Sequence, residues 1–352
     1  LANILSDIRK HGAMPIEEQD ALLVRAPKDG VFPEGFYATT NLETFVRLEG
    51  QWVEVQGTEM DSGIVVEAVG GKRKPRWRAK TVRFASLRKC DRVVVGHAGV
   101  RVVPVERERE SEREIFQFMG SSISSEKPKG LLIREIAAEI KAAHAQRGKV
   151  LVVAGPAVVH TGAGEHLARI IEAGYVDVLF AGNALAVHDI EFAIFHTSLG
   201  VLLEKGDLAK FGHEHHLRAI NKIRALGSIE KAVRRGVLTS GVMYACVTKR
   251  VPYVLAGSIR DDGPLPGVIT DVMAAQDAMR KRLKGVRIAL LIATTLHSIA
   301  TGNLLPASVK TICVDINPAV VTKLTDRGSF QSLGLVTDTE PFLRELAANL
   351  LP

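Results

Sequence analysis

Six short apolar runs in the second half of this 352-residue chain end in residue types that do chemistry. VLVVA leads into Gly155-Pro156, and VDVLFA into Gly182-Asn183-Ala184. PYVLAGSI leads into Arg260-Asp261-Asp262-Gly263-Pro264, and RIALLIA into Thr294-Thr295-Leu296-His297. TICV ends in Asp315-Ile316-Asn317-Pro318, and GLV in Thr337-Asp338. Carboxylates accept from sugar hydroxyls, an imidazole moves protons near neutral pH, and glycine lets backbone approach a ligand closely. A sheet built only for packing needs turn residues at its ends, but not two carboxylates, an imidazole and hydroxyls together. The pattern predicts a binding crevice along one sheet edge.

A dinucleotide is the natural occupant, although its usual fingerprint is weak here. Gly162 and Gly164 satisfy the first half of G-x-G-x-x-G, but Leu167 takes the third glycine's place. Asp177 opens a strand where a ribose-binding acid should close one. Asp315 does close one, and Asn317-Pro318 after it reads as a helix start with an Asn cap and Pro in the first turn. The rival reading of Asp315 is a plain turn acid. If a dinucleotide binds, these departures predict a strand order or ligand pose unlike the standard doubly wound enzyme. His213 and His216 would share a helix face as metal ligands, but no third ligand at zinc spacing follows, so no metal is expected. His188 with Asp189 and Glu191 reads either as an oriented imidazole beside the crevice or as exposed polar residues of a helix. Cys246 lies in the apolar run GVMYACV and reads as core. Thr239-Ser240-Gly241 reads as a turn into a helix that would cradle a phosphate.

The elements that position these residues follow from periodicity. From Gly130 onward, near-continuous apolar runs alternate with stretches of helical period such as HLARIIEAG and HHLRAINKIRALG. That alternation predicts an α/β domain over 130–352: a Rossmann-like parallel sheet covered on both faces. Residues 27–105 instead carry short β-rich runs broken by Gly, Asp and Asn, which predict a small antiparallel β-barrel-like domain. Between them, 106–129 (with ERERESERE and SSISSEKP) reads as a linker or flap. LANILSDIRKHG, within 1–26, reads as one helix without partners of its own.

Composition excludes other classes. With 46% hydrophobic residues the chain buries a sizeable core, which rules out disorder and fibrous repeats. No apolar run is long enough for a membrane span. Cys90, Cys246 and Cys313 lie far apart and have no metal spacing, as expected of thiols in a reducing, cytoplasmic compartment. The net charge of +7 invites a nucleic-acid partner, yet the excess is +4 up to Lys149 and +3 beyond it. The one dense patch, Lys72 to Arg92 around Trp77, reads more simply as a solvated hairpin. Nucleic acid is therefore not an expected partner, whereas a small-molecule substrate and a homo-oligomer are.

The same residues carry a resemblance. AGPAVVHTGAGEHLARIIEAGYVD, FAGNALAVHDIE, VPYVLAGSIRDDGPLPGVITDV and TTLHSIATGNLLPASVKTICVDINPAVV closely resemble the family known as the LOR/SDH bifunctional enzyme conserved region. That family includes archaeal-type ornithine cyclodeaminases and the C-terminal part of cyanobacterial arginine-to-proline bifunctional enzymes. DGVFPEGFYATTNLETFVRLEGQWVEV extends the resemblance into the β-rich part. It implies NAD bound by Asn183, Ala184, Asp262, Thr294, Thr295, Leu296, His297, Asp315 and Asp338. It also implies conversion of L-ornithine to L-proline and ammonia, with hydride leaving the α-carbon and later returning. Asp261 and His297 are then the proton-transfer candidates, and Arg260 the partner of the substrate carboxylate. Glu34, Thr39, Thr40 and Asn41, in PEGFYATTN, read either as a segment that contacts substrate or as a tight turn. Members usually begin with a further small α/β domain, so the stub before residue 27 is expected to be what remains of one. The basic KRKPRWRAK departs from the family's pattern.

Overall fold

The computed structural model describes residues 19–40, 42–58, 61–69, 76–103, 129–198, 201–202, 212–306, 308–326 and 332–352. The stretch LANILSDIRKHG, the linker 106–128, Asn41 and the KRK of the basic loop lie outside the described residues. The chain forms two compact units, Leu1–Glu112 and Arg113–Pro352.

The first unit is a curled seven-stranded sheet. Its strands are β1 (Leu22–Arg25), β2 (Thr44–Leu48), β3 (Gln51–Gln56), β4 (Gly63–Val69), β5 (Arg76–Val82), β6 (Arg92–Val95) and β7 (Val100–Val102). Their spatial order is β1-β6-β4-β5-β3-β2-β7. Leu22–Arg25 pair with β6, so the sheet begins upstream of residue 27. All pairings are antiparallel except β3 with β5, which run parallel. One face buries Val46, Ile64, Val66, Ala79 and Val94. At one end Phe32 stacks on Phe36 with ring centroids 4.4 Å apart, and Phe84 meets both edge-on. The loop of the hairpin reading lies outside the described residues; the described part of the basic stretch, Arg76 to Arg92, forms β5 and the segment that leads into β6. Its charges have local partners: Lys80 pairs with Glu67, Arg78 donates to Gln56, and Arg92 covers Trp77 at 5.0 Å.

The second unit is a three-layer α/β domain. Its sheet contains β8 (Lys149–Ala154), β9 (Val178–Gly182), β12 (Tyr253–Ala256), β13 (Val286–Ile292), β14 (Lys310–Asp315) and β15 (Ser332–Val336). All six run parallel, in the order β12-β9-β8-β13-β14-β15. The small pair β10 (Thr197–Ser198) and β11 (Val201–Leu202) stands apart. Covering helices include α1 (Lys129–Ala145), α2 (Ala157–His160), α3 (Gly164–Glu172), α4 (Asn183–Phe195), α5 (His215–Leu226), α6 (Ile229–Arg234) and α7 (Val242–Thr248). They continue with α8 (Val272–Arg282), α9 (Thr295–Leu304), α10 (Pro318–Asp326) and α11 (Thr339–Leu350). Strand residues such as Val150 to Ala154 are wholly buried because helices lie on both faces, which is why these runs show no alternation.

Counted along this unit, the strand order is 3-2-1-4-5-6, that of a standard doubly wound sheet. The weak glycine fingerprint predicted a departure in strand order or ligand pose; the strand order does not depart. Order is set by right-handed crossovers, which Leu167 at the third glycine's place leaves untouched. Leu167 is instead buried core of α3. The order reverses between β8 and β13, and there the backbones leaving the two paired strands nearly touch. Gly155 N–H donates to Ile292 O at 2.9 Å, and a Cβ on Gly155 would lie 1.9 Å from Ala293 O. Glycine is required at that point for the switch to close. Gly155→Ala is expected to lower the unfolding free energy by about 1–3 kcal/mol, measured by chemical denaturation.

Candidate functional site

The carboxyl ends of the six strands bring most of the predicted residues of the second unit to one edge. Asn183 opens α4 directly after β9 and is buried. Its Oδ1 accepts Leu265 N–H at 3.0 Å, and its side chain also bonds Asp261. One amide thus ties the loop after β12 to the end of β9. Asp261 in addition accepts Ser258 N–H at 2.8 Å. His297, in the first turn of α9, lies against Gly182: a Cβ there would sit 2.7 Å from His297 Cε1. A side chain at 182 would push that ring from its place.

Asp261 and His297 shift each other electrostatically, but burial dominates both. Burial raises Asp261, and the neighbouring Asp262 adds to this, while Ser258 N–H, the Asn183 amide and His297 oppose it. Burial lowers His297, and Asp261 partly restores it. Each group is driven toward its neutral form, the condition under which an imidazole accepts a proton near neutral pH.

The remaining predicted residues divide. Thr294 is the N-cap of α9 without any side-chain cap bond, so the first-turn N–H groups have no capping oxygen from it. Leu296 is exposed. Asp315 ends β14, is buried, and accepts Asn317 N–H at 2.8 Å; Asn317 caps α10 through Ala319 N–H at 3.0 Å. Burial raises Asp315, opposed by the Asn317 and Ile316 N–H groups. Asp338 caps α11. Asp262 lies 3.5 Å from His216 Nε2. Arg260 is exposed, with no ion pair among the described residues. In the first unit Glu34 is exposed, and Thr40 Oγ1 accepts Leu42 N–H at 3.3 Å. Thr39 is a structural residue, exchanging hydrogen bonds with Ser62. Asn41 lies outside the described residues.

One sequence reading changes. Thr239-Ser240-Gly241 does lead into helix α7, but no phosphate is needed there. Asp189, fully buried, accepts Val242 N–H at 2.7 Å and Met243 N–H at 2.8 Å. A carboxylate of the protein itself occupies the helix start. A Cβ on Gly241 would clash with that carboxylate, which explains the glycine. Cys246 is core, its thiol pushed up by burial, and Cys313 likewise is pushed up to about 12. Sequence reasoning gave no role to His160 at the end of α2, whose ring packs on His188 at 4.7 Å. Its only signal was its place five residues after Gly155.

Models of known families match residues 1–346 in three pieces. "Arginine dihydrolase ArgZ-like, C-terminal, Rossmann fold" matches residues 134–346, and its first region matches 43–133. The LOR/SDH bifunctional enzyme conserved region matches 1–42. The chain belongs to the ArgZ-like C-terminal family. Relatives in this family include a protein of Methanopyrus kandleri named ornithine cyclodeaminase, 56% identical over 99% of this chain and 83% of its own. Another of that name, from Methanocaldococcus jannaschii, is 55% identical over 99% of this chain and 82% of its own. Among solved structures, AgrE in ternary complex with ornithine and NAD+ superposes with a TM-score of 0.85 at 44% identity. That match covers 96% of this chain and 46% of AgrE, so the chain spans about half of AgrE's length. A LOR/SDH protein of Methanococcus maripaludis has a TM-score of 0.63 at 47% identity, covering 94% of this chain and 98% of its own.

The buried groups behind this edge make stability depend on pH in opposite senses. Burial raises Asp189 to about 6, so its contribution is full at low pH and is lost as pH rises from about 4 to 6. Burial, then the His188 charge, lowers His160 to about 4; its contribution is lost as pH falls from about 6.5 to 4. Asp189→Asn removes the first slope and keeps the second. Its destabilising effect, followed by urea denaturation, is expected to shrink by about 2 kcal/mol between roughly pH 4.5 and 6.5.

Proposed function

We propose that the chain is an NAD-dependent ornithine cyclodeaminase, converting L-ornithine to L-proline and ammonia. The observation that carries this reading is likeness over nearly the whole chain to enzymes of that name, at 56% and 55% identity. The structural match to AgrE holding ornithine and NAD+ supports it. The second unit fits the cofactor by its own geometry. Its strand order creates a switch-point crevice, Gly155 leaves room there for the Ala293–Thr294 backbone that leads into α9, and the first turn of α9 has no side-chain cap. Asp315, the first turn of α9, Asn183 and Asp262 would hold NAD. When bound, NAD supplies a hydride acceptor and donor at the substrate α-carbon.

The protein's own residues then do three things. Asn183 fixes the 258–265 loop, so that Asp261 stays beside His297. His297, driven toward neutral imidazole, takes a proton from a substrate ammonium group, and Asp261 balances the resulting charge. Arg260, exposed on the same loop, pairs with the substrate carboxylate. The cytoplasm and a role in proline formation are the setting this chemistry fits. No helix among the described residues is long and apolar enough to cross a membrane.

The direct test is ammonia release from L-ornithine by dialysed protein, which is expected only after NAD is added back. Asp315→Asn is expected to weaken NAD about tenfold or more in calorimetric titration, since a carboxylate that binds a ribose diol gives charge-assisted bonds. Its thermal midpoint should stay close to that of the parent. Removing Asp261's charge leaves burial to lower His297 further. The acid limb of the rate profile is therefore expected to move to lower pH in Asp261→Asn.

A further inference from the structure

Three imidazoles gather beside the carboxyl ends of β8, β9 and β12, next to the Asn183–Asp261 contact. His160 ends α2, the short helix after β8; His188 lies in the second turn of α4; His216 lies in the first turn of α5 and meets Asp262. The His188 ring has His160 on one side at 4.7 Å and His216 on the other at 6.3 Å. Within this unit, and among the described residues, no three ligand atoms come close enough to hold a metal. The cluster is therefore read as proton chemistry.

Its orientation is fixed by Glu191, which has no exposed surface. His188 Nδ1 lies 2.9 Å from Glu191 Oε2, and with a carboxylate as acceptor that nitrogen carries the proton. Thr197 Oγ1 donates to the other carboxylate oxygen at 3.0 Å. Having given its only proton there, Thr197 accepts from His215 Nδ1 at 2.8 Å. Both oxygens of Glu191 are thus committed, and the basic atom of His188 is Nε2. A buried carboxylate that holds an imidazole by Nδ1 orients a base and stabilises its charged form.

The proposed reaction moves protons at two substrate nitrogens, and the Asp261–His297 pair provides one carrier. We propose that His188, held by Glu191, is the second catalytic proton carrier, serving the amino group that leaves as ammonia. This rests on the ornithine cyclodeaminase reading above. Nε2 takes a proton from the substrate ammonium, breaking an N–H bond and leaving a free amine and an imidazolium paired with Glu191. The same proton returns to that nitrogen as its carbon–nitrogen bond breaks, so the bond's electron pair leaves with ammonia and His188 is neutral again. His160 does not compete: burial and the His188 charge keep it neutral down to about pH 4, and its Nδ1 is engaged with Ser198 Oγ at 2.6 Å. The elements packed against α4 carry other titratable groups. On α5 His215 is tied to Thr197, His216 to Asp262, Arg218 to Glu214 and Arg224 to Pro264 O, while Lys222 is exposed. Helix α7 carries Tyr244 and Cys246, the latter beside Asp189, and Tyr253 on β12 bonds Glu230.

The test uses the full chain with NAD. His188→Gln is expected to keep the thermal midpoint and NAD affinity while kcat falls at least about a hundredfold with little change in KM. Glu191→Gln, which removes the carboxylate that holds the ring, should lower kcat while KM changes little. Unchanged kcat in a folded His188→Gln protein overturns the proposal. If that variant does not fold, nitrogen NMR of histidine-labelled parent protein decides. Saturating L-ornithine should shift the His188 Nε2 signal, and an unmoved signal overturns the proposal. Parent protein that releases no ammonia from ornithine overturns the functional reading instead, and the NMR result still decides whether His188 meets the diamino acid.

Discussion

The second unit depends on one buried amide. Asn183 stands where β9 becomes α4, out of water, and a buried amide is costly unless its polar atoms find partners. It finds them in Leu265 N–H and the Asp261 carboxylate, both on the loop after β12. That tie, with Arg224 donating to Pro264 O at 2.9 Å and Leu265 buried, anchors the loop and delivers Asp261 and Asp262 to the strand-end edge. Glycine does the complementary work. Gly182 makes room for the His297 ring, and Gly155 lets the backbones leaving β8 and β13 come close at the switch point.

Behind that edge the protein buries ionisable groups and gives each a partner. Asp189 takes the start of α7, Glu191 takes His188 and Thr197, and Glu214 takes Arg218 at 2.6 Å. Apolar residues of the same size would pack these positions with less desolvation, so the polar network is not what stability alone would select. Its use lies in orientation. A carboxylate that fixes one ring nitrogen determines which atom of an imidazole faces outward.

Much of this was legible in the chain. Six apolar runs gave six parallel strands, because a strand covered on both faces carries no alternation to confuse the reading. The cap at Asn317 and the core position of Cys246 followed from local rules that tertiary packing did not override. The strand order was not legible, since the glycine fingerprint reports how closely a helix approaches phosphate and says nothing of crossovers. The turn before α7 was misread because its N–H groups are met by Asp189, fifty-three residues earlier, and no local pattern reveals such a partner. The His188–Glu191 pair, three residues apart on α4, was legible as an oriented imidazole, one of its two readings; Thr197, six residues on in β10, completes the clamp.

The central claim is that the crevice returns its hydride within each turnover, making a cyclodeaminase rather than an amino-acid dehydrogenase. The most direct measurement follows ammonia, proline and NADH together in one reaction of the protein with NAD and L-ornithine. The account predicts ammonia and proline in equal amounts with no net NADH. Steady accumulation of NADH, with a keto acid or imine in place of proline, would contradict it.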